Sequence, residues 1–493
     1  MLPVLAGLLA GAALVLAFPP FGWAWISLAA IALLLWALRS GRHPTLTGWF
    51  FGLAFFGGLI WWISELGLVA LIPAVLFQSS YFALYGWLMG RAARLSVGRW
   101  MLVAIGGWAA VEWIRGHFPV GGYEWGQPGL SLSGWDAARG AAQWIGGSGL
   151  SVLVVAMAAA VVMVIERRRL SPASVTPFVL SGLLLIAGAL WPTKADGPVV
   201  SVAIVQGSTP CPFTHCDEER LQTMEMHLAL TEQISAGAAD LVVWAEGSAG
   251  SSVWETTSAD ADPIQNDEVG EAIGDEAERI GAYMLIGTDR AVGEDQFVNA
   301  NVLFGPDGEI LGEYRKRHPV PFGEYVPFRS VLGGLPALEG VPRDMIRGEG
   351  PVVFDTEIGA LGSVISFEGS FSRYPRSEVG AGAELLVVAT NEGSYGYTPA
   401  SDQLIGITRM RAAELGIDVV HAAVTGKSTF ITEGGVVGET LGLAESDILY
   451  GSPRLRTSGP TLYARLGDWM VVLAALAGAV AVLARRPARP QTP

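Results

Sequence analysis

The chain has 493 residues, 51% of them hydrophobic and 16% charged, with a mean hydropathy of +0.42. Soluble proteins carry roughly 25% charged residues, so the composition excludes a wholly water-soluble molecule. The net charge of −15 is unevenly spread, 40 of the 46 acidic residues falling between Asp196 and Asp447; this excludes a basic nucleic-acid footprint and predicts a membrane body joined to an acidic aqueous domain.

In chain order, apolar stretches near the roughly 20 helical residues that cross a bilayer occur at about 2–18, 22–38, 46–64, 66–90, 100–114, 148–165, 175–192 and 468–485. Eight spans are therefore expected. The first lacks the basic n-region of a cleavable signal and is read as a retained span. With the N-terminus inside, the basic clusters Arg39/Arg42/His43, Arg91/Arg94/Arg99, Arg167/Arg168/Arg169 and Arg485/Arg486/Arg489 all become cytoplasmic. Segment 193–467 then lies on the far side of the membrane. The basic tail "ARRPARPQTP" reads as a positive-inside stop, with an anchor for an envelope partner as the other option. Trp125, Trp135 and Trp144 in the outer loop 115–147 are expected at the interface, as anchors or lining a lipid path.

From Val199 the period changes. "VVSVAIVQ", "ADLVVWAEG", "AYMLIGTD", "NANVLFG", "LGSVISFEG", "ELLVVATN" and "DVVHAAVTG" are short β-rich runs bounded by Gly, Asp or Asn. Helical patterns lie at 217–236 and 401–416, and "GPDGE" and "TEGGV" read as hairpin turns. The expectation is an α/β domain with a mixed sheet. Cys211 and Cys216 sit in this outer segment, where an oxidising compartment favours a disulfide; zinc with His215, or a nucleophilic thiol, are the alternatives.

Reactive groups in such sheets collect where strands end. Glu246 in "LVVWAEGSAG" ends a run that should be buried, which suits a carboxylate to base work. Lys316 in "GEYRKRHPVPFGEYVPFR" is one of only three lysines against 28 arginines; a compact ammonium suits a single developing oxyanion. Glu324, eight residues on, is a partner for that cation or a surface acid. Ser366 in "GSVISFEGSF" ends a third run. Base, oxyanion stabiliser and small nucleophile together suit acyl transfer, although each also reads as an ordinary turn residue.

Taken together, "WAEGSA", "YRKRHPVPFGEYVP" and "VISFEGSF" resemble the nitrilase, or carbon-nitrogen hydrolase, superfamily, whose Glu-Lys-Cys triad lies on an αββα sandwich. "FPPFGWAWISLA", "GWFFGLAFFGGLIWWI", "VEWIRGHFPVGGYEWGQPGLS" and "IGGSGLSVLVV" are similar to the membrane part of the bacterial apolipoprotein N-acyltransferase family. The resemblance implies a multi-pass α-helical membrane bundle of eight spans plus an α/β nitrilase-like αββα sandwich. The implied domains are residues 1–192 with seven transmembrane helices, 193–465 extracytoplasmic, and 466–493 holding the eighth helix and tail, in a bacterial plasma membrane. It implies transfer of an acyl chain from a phospholipid donor to the diacylglyceryl-cysteine amine of an apolipoprotein, through an acyl-enzyme. No cofactor, metal or nucleic acid is implied.

By position, Glu246 is the implied base, Lys316 the oxyanion stabiliser and Ser366 the nucleophile, with Glu324, Glu368, Phe367 and Asn391 supporting. The chain departs from the family in having serine where cysteine is usual, Ala245 for proline, Phe367 for tyrosine, and "NEGSYG" at 391–396 for Asn-Asp-x-Trp-Phe-Gly. A hydroxyl ionises far above the roughly 8.5 of a thiol, so slower transfer is expected. The alternative reading is a catalytically impaired paralogue that binds lipid or lipoprotein.

Overall fold

The computed structural model describes residues 1–40, 42–214, 216, 219–250 and 268–483. His215 of the zinc alternative, the first two residues of the 217–236 pattern, and the tail with Arg485, Arg486 and Arg489 lie outside the described residues.

Among the described residues a helix overlaps each of the eight apolar stretches: Leu2–Val15, Ile26–Ser40, Pro44–Leu59, Leu68–Ala92, Val97–His117, Asp136–Arg167, Pro172–Leu190 and Trp469–Leu483. Three of them, Leu68–Ala92, Asp136–Arg167 and Pro172–Leu190, are long and apolar enough to cross a membrane by length and composition. Small residues let the helices approach closely, as membrane helix packing requires. At Gly48, an added Cβ would stand 1.9 Å from the Phe82 carbonyl oxygen of the neighbouring helix. Helix Trp469–Leu483 follows the last strand and packs back against Val97–His117.

The expected outer loop 115–147 is corrected by the structure. The helix before it runs on to His117, a 3-10 turn covers Pro128–Gly134, and the next helix begins at Asp136, broken at Gly146. Trp125 is not an interfacial anchor. It is 1% exposed, and its Nε1 donates to Gln403 Oε1 at 2.7 Å, which removes the cost of burying the indole N–H. Trp135 is exposed.

The strands, in chain order, are β1 (Val202–Gln206), β2 (Leu241–Trp244), β3 (Tyr283–Val292), β4 (Gln296–Phe304), β5 (Ile310–Arg315), β6 (Asp344–Met345), β7 (Val353–Thr356), β8 (Gly359–Ile365), β9 (Leu385–Thr390), β10 (Val419–Ala423), β11 (Thr429–Ile431), β12 (Val437–Thr440) and β13 (Asp447–Gly451). They form two mixed sheets. One has the order β13-β1-β2-β3-β4-β5 with β6 beside β4, and the other β12-β11-β10-β9-β8-β7. "GPDGE" and "TEGGV" connect β4 to β5 and β11 to β12 as antiparallel hairpins.

The central strands β1, β2, β9 and β10 are buried along their whole length, as parallel strands covered on both faces should be. One apolar cluster, including Ile204, Val243, Leu285, Ile365, Val387 and Val420, draws side chains from both sheets. The sheets therefore pack face to face. Helices Glu219–Thr231 and Glu268–Ile280 belong with the first sheet, and Arg373–Ala381 and Ala400–Leu415 with the second. The result is an αββα sandwich. Cys211 and Cys216 form a disulfide.

Candidate active site

β2 delivers Glu246 into the gap between the sheets. The chain there runs close to β3, where Gly287 leaves room: a Cβ on it would lie 2.1 Å from the Ala245 carbonyl oxygen. Glu246 is 7% exposed and both of its carboxylate oxygens accept hydrogen bonds. Oε1 accepts from Lys316 Nζ and Asn299 Nδ2, both at 2.8 Å, and Oε2 accepts from the Asn391 backbone N–H at 2.9 Å.

Lys316 is the first residue after β5 and is 1% exposed. Its ammonium also donates to Glu324 Oε1 at 2.6 Å, while Glu324 Oε2 accepts from the Val320 N–H at 2.7 Å and so pins the intervening turn. Burial opposes charge on Lys316, but the two carboxylates outweigh it and hold the ammonium well above the ordinary lysine range. Glu324 is pushed up by burial and by Glu246, against the pull of Lys316.

Ser366 directly follows β8 and opens a 3-10 turn, Ser366–Ser370, in a left-handed conformation with φ of 50°. For a non-glycine residue this conformation is strained, and it projects a side chain out of the strand direction. Ser366 is 6% exposed, and Thr390 Oγ1 donates to its Oγ at 3.4 Å. Among the described residues no hydrogen bond joins Ser366 Oγ to Glu246. The two are tied through the end of β9, where Thr390 touches Ser366 and the next residue, Asn391, holds Glu246.

A second tie comes from Glu368, which is fully buried. Its Oε1 accepts from the Arg317 and His318 N–H groups at 2.6 and 2.9 Å, and its Oε2 from Tyr314 Oη and the Ile365 N–H at 2.7 and 2.9 Å. Glu368 thus fastens the end of β8 to the segment carrying Lys316 and does not itself touch the ammonium. Asn391 contributes through its backbone, its side-chain Oδ1 accepting from the Gly393 N–H. Phe367 packs on Phe371 at 4.9 Å and on Tyr123 at 5.9 Å. From Tyr123 a row of rings runs through Trp125 and Trp62 to Tyr395, walling the site on the side of the membrane helices.

Glu246, Lys316, Glu324 and Asn391 are therefore linked by hydrogen bonds, Ser366 is tied to them through Thr390, and Glu368 and Phe367 support from behind. Asn299 and Tyr395 were not singled out by the sequence. Asn299 carried a readable signal: with Asn301 it forms an i, i+2 pair inside a β run, placing two amides on one strand face. Asn301 Nδ2 indeed crosses to Ser363 Oγ on the other sheet at 2.7 Å.

The charged core is one ammonium shared by two carboxylates, and a hydroxyl on a strained strand-to-turn junction is tied to it through Thr390 and Asn391. Chemically it can take up a proton, hold a developing oxyanion near Lys316 and present Ser366 Oγ for attack.

Over nearly its whole length the chain is similar to curated apolipoprotein N-acyltransferases. It is 29% identical to that of Geobacter metallireducens across 97% of this chain and 94% of the relative. It is also 29% identical to that of Gloeobacter violaceus across 98% and 94%, and to that of Mycolicibacterium smegmatis across 88% and 77%. Among solved structures, an amidase of the nitrilase superfamily from Nesterenkonia aligns with a TM-score of 0.40 at 19% identity, over 53% of this chain and 92% of that one. Residues 10–160 match the apolipoprotein N-acyltransferase N-terminal domain. Residues 201–460, more than half of the chain, match the carbon-nitrogen hydrolase model, and the chain belongs to the carbon-nitrogen hydrolase family.

Proposed function

We propose that this protein is a membrane N-acyltransferase that moves an acyl chain from a phospholipid to the N-terminal diacylglyceryl-cysteine amine of apolipoproteins. The observation that carries the reading is the Lys316 ammonium held between Glu246 and Glu324, with Ser366 tied to Glu246 through Thr390 and Asn391, in a chain whose relatives over nearly its whole length bear that name.

In this reading Ser366 Oγ attacks the carbonyl carbon of the phospholipid ester and Glu246 takes its proton. Lys316 stabilises the oxyanion of the tetrahedral intermediate. Collapse breaks the ester C–O bond, and the lysophospholipid alkoxide leaves with the proton from Glu246. The acceptor amine then attacks the acyl-serine, Glu246 accepts the amine's proton and returns it to Ser366 Oγ, and the amide is released. Glu246 Oε2 accepts a single hydrogen bond at rest, which leaves it a lone pair for the proton.

The membrane arrangement follows the same reading. Residues 1–192 supply seven spans with the N-terminus cytoplasmic, 193–465 form the catalytic domain outside the bacterial inner membrane, and 466–493 supply the eighth span and a cytoplasmic tail. Reporter fusions after residue 200 active only in the cytoplasm would overturn this orientation.

The test of function is direct. Purified full-length protein given phospholipid and a diacylated lipopeptide should form the triacylated peptide, and Ser366→Ala should abolish it. Equal product from the alanine variant would remove Ser366 from the chemistry.

A further inference from the structure

Glu246 Oε1 can only accept, so the Asn299 group 2.8 Å from it is fixed as the Nδ2 amide nitrogen. The Asn299 Oδ1 is thereby turned to the other side, where it is buried and has no hydrogen-bond partner among the described residues. In the antiparallel β3–β4 ladder Asn299 stands directly opposite Asp289, so the two side chains share one face with Cβ atoms about 5 Å apart. Asp289 is half-buried, and its Oδ1 is a second buried oxygen without a partner among the described residues. Two orphan acceptors side by side are unfavourable as they stand; one proton between them satisfies both.

We propose that Asp289 is a positioning residue that works as a neutral carboxylic acid, its hydroxyl donating to Asn299 Oδ1 and so locking the amide that donates to Glu246. The inference rests on Glu246 being the base of the reaction proposed above. The surroundings favour the neutral acid: burial and the Glu246 carboxylate push the Asp289 carboxyl up to about 7, with Glu324 adding and Arg220 and Lys316 opposing. These are the charged groups that face it, Arg220 from helix Glu219–Thr231, Glu246 beyond β2, and Lys316 and Glu324 from the segment after β5. The sign follows. Below about pH 7 Asp289 is protonated and donates; as pH rises through that value it ionises and the lock on Asn299 is lost.

The test uses the full-length protein in detergent and the variants Asp289→Asn and Asp289→Ala. An asparagine amide donates at every pH, so Asp289→Asn should keep wild-type acyl transfer at about pH 6 and hold it up to about pH 8, on either side of the transition. The wild type should lose about fivefold to tenfold in kcat/KM across the same interval, the rate equivalent of one hydrogen bond, and Asp289→Ala should be low throughout. A wild-type decline reproduced by Asp289→Asn, or an alanine variant equal to wild type, would overturn the inference. Absence of acyl transfer from the wild type is a failure of the proposed function instead. In that event infrared titration reads Asp289 by itself: a carboxylic-acid band near pH 6 that is missing from Asp289→Asn supports the inference, and identical spectra overturn it.

Discussion

The Lys316 ammonium lies 2.8 Å from the Glu246 carboxylate with both groups nearly excluded from solvent, and a second carboxylate, Glu324, lies 2.6 Å from the same nitrogen. Removing the cation leaves two buried acids facing each other. Lys316→Met is therefore expected to lower the rate of acyl-enzyme formation by about 10²–10³, the scale of a lost oxyanion partner. It should also destabilise the fold by about 3–5 kcal/mol, the cost of breaking a buried pair. The double variant Lys316→Met/Glu324→Gln separates the two effects: stability should largely return in thermal melts while activity stays lost. Recovery of activity would show that Lys316 is only a structural counterion.

Ser366 combines strain with the nucleophile's role proposed for it. Its φ of 50° costs about 1–2 kcal/mol for a residue with a Cβ and nothing for glycine. Ser366→Gly should accordingly raise stability by about 1 kcal/mol while abolishing transfer, which a denaturant midpoint and a triacylation assay would read together. A destabilised glycine variant would mean that the weak Thr390 contact outweighs the strain. Ser366→Cys should speed both half-reactions, since a thiol ionises near 8.5 and a thioester acylates amines better than an oxyester. A gain of about tenfold in single-turnover transfer is expected. A cysteine variant slower than wild type would indicate a pocket tuned to the smaller oxygen.

Much of this geometry was legible in the sequence, and the illegible parts have physical reasons. The buried strands β1, β2, β9 and β10 are mostly apolar, β-rich runs, interrupted inside only by His421, so composition reveals them. The edge strands β5, β7 and β12, "ILGEYR", "VFDT" and "VGET", are half-exposed and polar, and pairing rather than side-chain pattern makes them strands. Glu246, Lys316 and Ser366 stood out as polar groups at strand ends. What a sequence cannot display is which face a residue joins. Asn299 is mid-strand, and Trp125 looked interfacial until Gln403, 278 residues away, supplied its partner.

Glu368 tests whether the site depends on its frame. Each of its oxygens accepts two hydrogen bonds from Arg317, His318, Tyr314 and Ile365. In Glu368→Gln one of those oxygens becomes an amide that can only donate, facing two donors. The expected cost is about 2–4 kcal/mol, together with loosening of the segment after β5. Amide exchange should quicken at His318 and Ile365, and kcat should fall with Lys316 intact. Unchanged exchange with lowered kcat would instead place Glu368 among the groups that touch substrate.

His227 links the fold to pH through a contact far simpler than the active site. Its ring is fully buried against Trp244, where Nε2 accepts from the Gly207 N–H at 3.0 Å, which leaves Nδ1 to donate to the Thr223 carbonyl at 2.7 Å. Both nitrogens are thus committed to the neutral form, and burial lowers the histidine to about 4. In the unfolded chain the same ring titrates near 6.5. Because the folded value is the lower one, the unfolded state binds the extra proton first as pH falls. Stability is complete above about 6.5 and is lost progressively toward pH 4, by about 3 kcal/mol in total. His227→Gln cannot titrate, so its melting temperature should start lower at neutral pH yet decline less on acidification than that of the wild type. His318, lowered to about 3 chiefly by burial, remains in both proteins and cancels from the comparison. Parallel pH profiles for the two proteins would mean that the His227 ring is not held neutral by Gly207 and Thr223, and that acid sensitivity arises elsewhere in the sandwich.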